Sequence, residues 1–255
     1  MYFLGVDLGW VSGASGLCCL AWDSSQLRLM DLRCEIDLEA ILAWIESWLP
    51  DHAPGLVAVD APTLIPNATG MRTCDRQAHQ RLGRYDAGCY PANQGLSFAA
   101  RTVGFSELLR ERGFNHAPII QARASGRYQI EVFPHAGTVQ LFNLNQIIKY
   151  KKGRIAERQA GLNQLRDLIL EKFPQLHPPL EIAELPEIPV QVSLKQLKAI
   201  EDQLDALICA YMGAYWWAWG LEKNWVLGGQ EFRPQPTQSQ DYLNTGFIVI
   251  PQPQQ

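Results

Sequence analysis

The chain has 255 residues, with 22 Lys and Arg against 26 Asp and Glu, and a formal net charge of −4. Hydrophobic residues make up 47% and charged residues 19%, a balance that is typical of a globular protein and excludes a disordered chain. The acidic balance also excludes a uniformly basic nucleic-acid-binding domain, although it is compatible with a local basic groove.

The six cysteines include no Cys-x-x-Cys pair, and two of them are adjacent, at 18 and 19. This spacing predicts buried thiols in a reducing compartment. Residues 1–10 lack the basic segment of a signal peptide, and the apolar stretch 206–221 is short of the roughly 20 residues of a comfortable membrane span. We therefore expect a cytoplasmic protein with no membrane partner.

Apolar runs bounded by turn residues predict an α/β chain. Strands are expected at residues 2–7, 14–22, 26–32, 55–60 and 128–133, with a closing strand pair at 225–227 and 247–250; helices are expected at 37–49, 155–173 and 193–219. We expect the second and third strands to form a hairpin, with a turn at Asp-Ser-Ser. We expect a single domain over residues 1–255, with an insertion at about 61–126 after the fourth strand and a polar tail at 251–255.

Three acidic residues stand where core strands least tolerate them: Asp7, Asp60 and Glu131. A buried carboxylate is costly unless it binds a cation or accepts hydrogen bonds. At the carboxyl ends of neighbouring strands, such groups would converge on the crevice where open α/β sheets bind ligands. Glu131 lies within its strand, so its side chain can face away from the other two.

The helix predicted at 193–219 supplies two further acids, Asp202 and Asp205. On a helical wheel of about 100° per residue, Asp205 borders the apolar stripe and Asp202 lies farther from it, one turn earlier. We expect Asp205 to be the deeper residue and the better metal ligand, with Asp202 as a second ligand or the residue that orients a metal-bound water.

Together these carboxylates predict a metal site with Asp7, Asp60, Asp202 and Asp205 as ligands and Glu131 as a further catalytic candidate. Hard oxygen donors favour Mg²⁺ or Mn²⁺, while His135 leaves open a contribution from a nitrogen ligand. Two such cations about 4 Å apart suit in-line hydrolysis of a phosphodiester.

Basic residues flank these acids in sequence. The candidates for contacts with substrate phosphates are Arg72, Arg76, Arg127, Lys151, Lys152 and Arg154. Contacts of this kind would make binding depend strongly on salt. The expected partner is thus nucleic acid or another phosphodiester, and a homodimer is left open.

The order of strands and the late acidic helix resemble the RNase H-like superfamily, and Asp-x-x-Asp-Ala resembles its Holliday-junction resolvases. The pieces GVDLGW, VAVDAPTLIPN, CDRQAHQRLG, IEVFPHA and EDQLDAL resemble the domain of unknown function 429 family, described as predicted RNase H-like nucleases. The resemblance implies an RNase H-like fold with a mixed sheet of about five strands, in which the first strand, the fourth strand and the last helix hold the metals. It implies a metal-dependent nuclease.

Two other functions stay open at this stage. Gly5, Asp7 and Gly9 also fit the first phosphate-binding hairpin of an actin-like ATPase or sugar kinase, although Ala61-Pro62 replaces a second Gly-rich loop. The other alternative is a non-catalytic scaffold with a vestigial site.

Overall fold

The computed structural model of the chain describes residues 1–11, 13–229 and 238–254. Within these residues the chain forms nine strands and seven α-helices. The strands are β1 (Tyr2–Asp7), β2 (Ser15–Trp22), β3 (Leu27–Glu35), β4 (Gly55–Val59), β5 (Asn115–His116), β6 (Arg127–Glu131), β7 (Leu180–Glu181), β8 (Asn224–Leu227) and β9 (Ile248–Pro251). The helices are α1 (Leu38–Trp48), α2 (Thr73–Leu82), α3 (Ala99–Glu111), α4 (Pro134–Leu141), α5 (Ile155–Lys172), α6 (Leu194–Trp219) and α7 (Ser239–Thr245).

A mixed sheet of seven strands forms the centre, in the order β5-β6-β4-β1-β2-β3-β7. Strands β1, β2 and β3 form an antiparallel meander, and β4 and β6 add to the other edge of β1 in parallel. Strands β5 and β7 extend the two edges by two residues each. Strands β8 and β9 form a separate antiparallel pair. The carboxyl ends of β1, β4 and β6 therefore lie at the same end of the sheet.

Helices cover both faces of the central sheet, as its alternating apolar side chains require. On one face, Phe3, Leu20 and Ala58 pack against the long helix α6 and against α5. On the other face, Leu4 and Val57 pack against α1 and α3. The α/β class expected from the sequence is thus confirmed, and α6 is the helix that packs directly on β1 and β2.

Most predicted elements are present with small shifts of their ends. Asp37 caps α1 by accepting from the amide of Ala40, and Ser193 caps α6 by accepting from the amide of Gln196. The sequence underestimated the sheet, because β5 and β7 are too short to show an apolar period. It also missed α4, which starts with Pro134 at its first turn and is buried on nearly all sides, so no polar face marks it.

Residues 61–126 contain helix α3 and strand β5. Helix α3 packs on one face of the central sheet, and β5 extends the edge of the sheet. The predicted polar tail begins inside β9, and the amide of Gln252 donates to the carbonyl of Lys223. Gln255 lies outside the described residues. Over the described ranges, we find no helix with the length and apolar character needed to cross a membrane.

Candidate functional site

Strand pairing brings Asp7 and Asp60 together. Strands β1 and β4 are parallel with Val6 opposite Val59, and the amide of Asp60 donates to the carbonyl of Val6 at 2.9 Å. Because side chains alternate along a strand, both carboxylates lie on the α6 side, with Phe3 and Ala58. The two acids therefore lie side by side at the carboxyl ends of the central strands.

Two glycines allow α6 to lie directly on these strands. A Cβ on Gly5 would stand 1.9 Å from the carbonyl oxygen of Ala206, and one on Gly16 would stand 1.8 Å from that of Asp202. Gly16 is also the residue of β2 that pairs with Asp7. The absence of these two side chains thus brings the acidic turn of α6 against the Asp7 end of β1.

Asp205 and Asp202 are both buried, at 0% and 2% exposure, and each is neutralised from within the chain. For Asp205, Oδ1 accepts from the Tyr150 hydroxyl at 2.6 Å and Oδ2 lies 2.8 Å from Lys151 Nζ. Asp202 Oδ1 lies 2.6 Å from Lys198 Nζ, which also pairs with Glu201 at 2.7 Å. The cluster therefore holds two lysine ammonium groups.

Burial and mutual repulsion disfavour ionisation of the strand acids. Burial raises the pKa of Asp60 to about 7, with Lys151 opposing the shift and Asp205 adding to it. The pKa of Asp7 is raised well above its usual value, chiefly by burial, against the charge of Lys151. Burial raises the pKa of Asp202, opposed by its hydrogen bond with Lys198 and by another with Asp7. These are the features of a site in which the carboxylates outnumber the positive charges that face them.

A cavity of about 440 Å³ opens over this end of the sheet. Its acidic lining is Asp7, Asp60, Glu131 and Asp202, and its basic lining includes Lys151 and Lys198. Asp205 is deeper, as the wheel predicted, but it does not line the cavity; its oxygens face Tyr150 and Lys151. His135 borders the cavity, and burial lowers the pKa of its imidazole to about 4.

Glu131 belongs to a different cluster. It is level with Val59, whose side chain lies on the α1 and α3 face, so Glu131 faces away from Asp7 and Asp60. Arg72 binds both of its oxygens, at 2.6 and 2.7 Å, and the amide of Thr63 donates to it at 3.0 Å. Arg72 also pairs with Asp75 at 2.8 Å. Arg72 is thus occupied inside the protein, and its guanidinium ties α2 to β6.

The other predicted phosphate contacts are spread over the molecule. The guanidinium of Arg127 donates to backbone carbonyls of Leu49, Pro50 and Ala53, at the opposite end of β4 and β6 from Asp60. Arg76, Lys152 and Arg154 are exposed, and none of the three lines the cavity. Of the six basic candidates, only Lys151 and the buried Arg72 border the cavity.

Sequence reasoning missed three residues that shape this site, Gly16, Tyr150 and Lys198, and it considered Gly5 only for a phosphate-binding hairpin. The signal for Gly5 was its place two residues before Asp7, on the same side of β1, where a helix has to approach. The signal for Lys198 was its spacing of four residues from Asp202 on one helix. Nothing in the sequence pairs Tyr150 with Asp205, since the two are 55 residues apart.

Comparisons with known proteins give one match. A family model described as "Protein of unknown function (DUF429)" matches residues 5–222. No curated protein and no solved structure matches the chain significantly. The matched segment runs from β1 to the end of α6 and so contains every carboxylate of the site. The chain therefore belongs to this family of unknown function.

Proposed function

We propose that the protein is a metal-dependent phosphodiesterase, and specifically a nuclease. The observation that carries the proposal is the convergence of Asp7 from β1, Asp60 from the end of β4 and Asp202 and Asp205 from α6 beside one open cavity. Burial and mutual repulsion disfavour four ionised carboxylates in one place, and the two lysine ammonium groups that face them offset only part of this cost, so a divalent cation would stabilise the cluster.

The architecture supports an RNase H-like fold within this proposal. The antiparallel meander β1-β2-β3, followed by parallel β4 and β6, matches the strand arrangement that the resemblance implies. In that fold the first strand, the fourth strand and the last helix hold the metal ligands. The corresponding elements here carry Asp7, Asp60 and the Asp202–Asp205 pair. Within this proposal, residues 61–126 are an insertion after the fourth strand that packs on the core.

The donor chemistry fits Mg²⁺ or Mn²⁺, since all four groups are hard carboxylates. In the metal-free protein, no three His, Cys, Asp or Glu side chains among the described residues are placed so as to hold a metal ion, so binding requires these side chains to move. Asp7, Asp60, Asp202 and Asp205 would hold the cations, which when bound activate water and neutralise the leaving oxygen. Lys151 and Lys198 stand at the cavity wall, where they can contact a substrate phosphate.

The proposed substrate is nucleic acid or another phosphodiester. The test is hydrolysis of single-stranded, double-stranded and branched DNA and RNA, and of a small phosphodiester, in Mn²⁺ or Mg²⁺. We expect Asp7→Asn to lower the rate by about 100-fold or more. The variant removes a metal ligand itself, which costs more than the loss of a residue that only orients a ligand.

Asp167→Asn is the matched control, since this carboxylate lies on α5 with 74% of its side chain exposed. It is expected to keep the wild-type rate. An unchanged rate in Asp7→Asn, or a wild-type protein that cleaves none of these substrates with either metal, would contradict the proposal.

The ATPase or sugar-kinase alternative gains no specific support. The amide of Gly9, which a phosphate-binding hairpin would offer to a nucleotide, donates to Ser15 Oγ at 3.0 Å. Trp10 Nε1 donates to the carbonyl of Asp60 at 3.3 Å, so the loop after β1 is tied to the loop after β4. A phosphate there would have to break these contacts.

A further inference from the structure

We infer that Lys151 is an internal counter-ion whose ammonium holds the acidic cluster together and is displaced from Asp205 when a divalent cation binds. The inference rests on the proposed metal-dependent function and adds to it the step that opens the site. It concerns two atoms in particular, Lys151 Nζ and Asp205 Oδ2, which lie 2.8 Å apart.

The two carboxylate oxygens of Asp205 contact different residues, Tyr150 and Lys151, in the segment that joins α4 to α5. Oδ1 accepts from the Tyr150 hydroxyl at 2.6 Å, and Oδ2 is ion-paired with Lys151 without the geometry of a hydrogen bond. A metal ion bound to Oδ2 would place its charge next to the Lys151 ammonium, and like charges at contact distance repel strongly in a buried site. Metal binding therefore disfavours the ion pair at this atom.

Lys151 acts on more than one acid of the cluster. Among the charges around Asp7 and around Asp60, Lys151 is the strongest influence on the pKa of each, and it lowers both. Asp205, Asp7 and Asp60 in turn raise the pKa of Lys151 against its burial. The charge of the Lys151 ammonium thus acts on three carboxylates, of which it is ion-paired with Asp205, and a divalent cation would take over this electrostatic role.

The segment can release the lysine without unfolding. Tyr150 is 1% exposed, and its carbonyl accepts from Arg158 Nε at 3.2 Å, so its backbone is anchored to α5. The side chain of Lys151 is 29% exposed at the cavity wall. Its four-carbon stem can turn into the cavity while Tyr150 keeps Oδ1 of Asp205 in place. The opening step is therefore a side-chain movement.

The first test is Mn²⁺ binding by calorimetry, without substrate, to the wild type, Lys151→Met and Lys149→Met. Methionine keeps the length and apolar stem of lysine and removes the charge. We expect Lys151→Met to bind Mn²⁺ about tenfold more tightly or better, since no ion pair has to be broken. Lys149 is exposed and does not line the cavity, so Lys149→Met is expected to match the wild type.

The second test uses the wild type and does not depend on how well a variant folds. An amine-acylating reagent is applied with and without Mn²⁺, and labelling of each lysine is measured by peptide mass spectrometry. We expect Mn²⁺ to increase labelling of Lys151 several-fold and to leave Lys149 unchanged, because the displaced ammonium leaves its carboxylate.

The outcomes separate this inference from the proposed function. If the wild type binds Mn²⁺ while Lys151→Met binds it no better and Lys151 labelling does not change, the counter-ion role is wrong and the metal-dependent function stands. If neither the wild type nor Lys151→Met binds Mn²⁺, the metal-dependent function fails and the displacement step fails with it.

Discussion

At the scale of single residues, the ionisation of Asp60 links the site to the stability of the whole chain. Its folded-state pKa, about 7, lies above the usual 3.8, so the folded protein retains a proton that the unfolded chain has lost. The unfolded state therefore binds fewer protons between these values, and stability falls as the pH rises from about 4 to about 7. Above that range the contribution is constant.

Asp60→Asn tests this linkage. The amide cannot ionise, so we expect the metal-free variant to be more stable than the wild type at pH 8 by about 1 kcal/mol or more, with a higher melting temperature. Its stability should also depend less on pH between 4 and 7. Thermal melting across this range measures both effects, with Asp167→Asn as the control on an exposed carboxylate. A less stable Asp60→Asn protein at pH 8 would show that the ionised carboxylate is favourable.

At the scale of elements, the position of α6 depends on the lack of a side chain at Gly16. A Cβ there would meet the carbonyl oxygen of Asp202 at 1.8 Å, and a backbone atom cannot turn aside as a side chain can. We expect Gly16→Ala to push α6 away from β2, to cost about 3 kcal/mol of folding free energy and to weaken Mn²⁺ binding. Chemical denaturation and calorimetry measure the two losses.

Gly104→Ala is the matched control for this prediction. Gly104 lies inside α3, and a Cβ there would meet nothing within 4 Å. Alanine is the better helix former, so this variant is expected to gain about 0.5–1 kcal/mol and to bind Mn²⁺ normally. If Gly16→Ala is as stable and binds as well as Gly104→Ala, the close approach does not position the site.

The buried Glu131–Arg72–Asp75 cluster makes a second prediction at this scale. Removing one partner of a buried ion pair leaves an uncompensated charge, so Arg72→Met is expected to cost about 3–5 kcal/mol. Glu131→Gln is also expected to be destabilising, and the double variant should lose less than the sum of the two single losses. Denaturation of all three variants measures this coupling, with Glu107→Gln, in an exposed pair with Arg110, as a control expected to cost less than about 1 kcal/mol.

The same variants decide what Glu131 does. An ion-pairing role predicts that Glu131→Gln lowers stability and leaves Mn²⁺ affinity intact. If Glu131→Gln folds as stably as the wild type but loses Mn²⁺ binding, Glu131 is a ligand of the site.

The strands and the helix that hold the candidate residues could be predicted from the sequence better than the contacts among those residues. Apolar runs that end in Asp located Asp7 and Asp60, and helical spacing located Asp202 and Asp205, because both patterns are local in the chain. The sequence did not show to which face of the sheet the Glu131 side chain points. Alternation along β6 separates its side chains into two faces, but it does not say which face packs against α6. The pairing of Lys151 with Asp205 joins residues 54 positions apart through the path of a loop, which no periodicity encodes.

At the scale of the whole molecule, a bound divalent cation should act as a stabilising ligand. A ligand that binds only the folded state adds RT ln(1 + [L]/Kd) to stability, about 2.7 kcal/mol at 100 times Kd. For a chain of this size we expect that gain to raise the melting temperature by roughly 5–10 °C. The gain comes from the replacement of repulsion among buried carboxylates by attraction, so it should be larger at pH 8 than at pH 5, where Asp60 is protonated in the folded protein.

Scanning calorimetry with and without millimolar Mn²⁺ measures this gain in the wild type, Asp7→Asn and Asp167→Asn. Weak binding of Mn²⁺ to the acidic surface would shift all three proteins alike, since the chain carries a formal net charge of −4. Binding at the site predicts that Asp167→Asn keeps the shift and Asp7→Asn loses it. Equal shifts in all three proteins, or none in the wild type, would instead favour a scaffold with a vestigial site, in which Lys151 and Lys198 are the permanent counter-ions of the carboxylates.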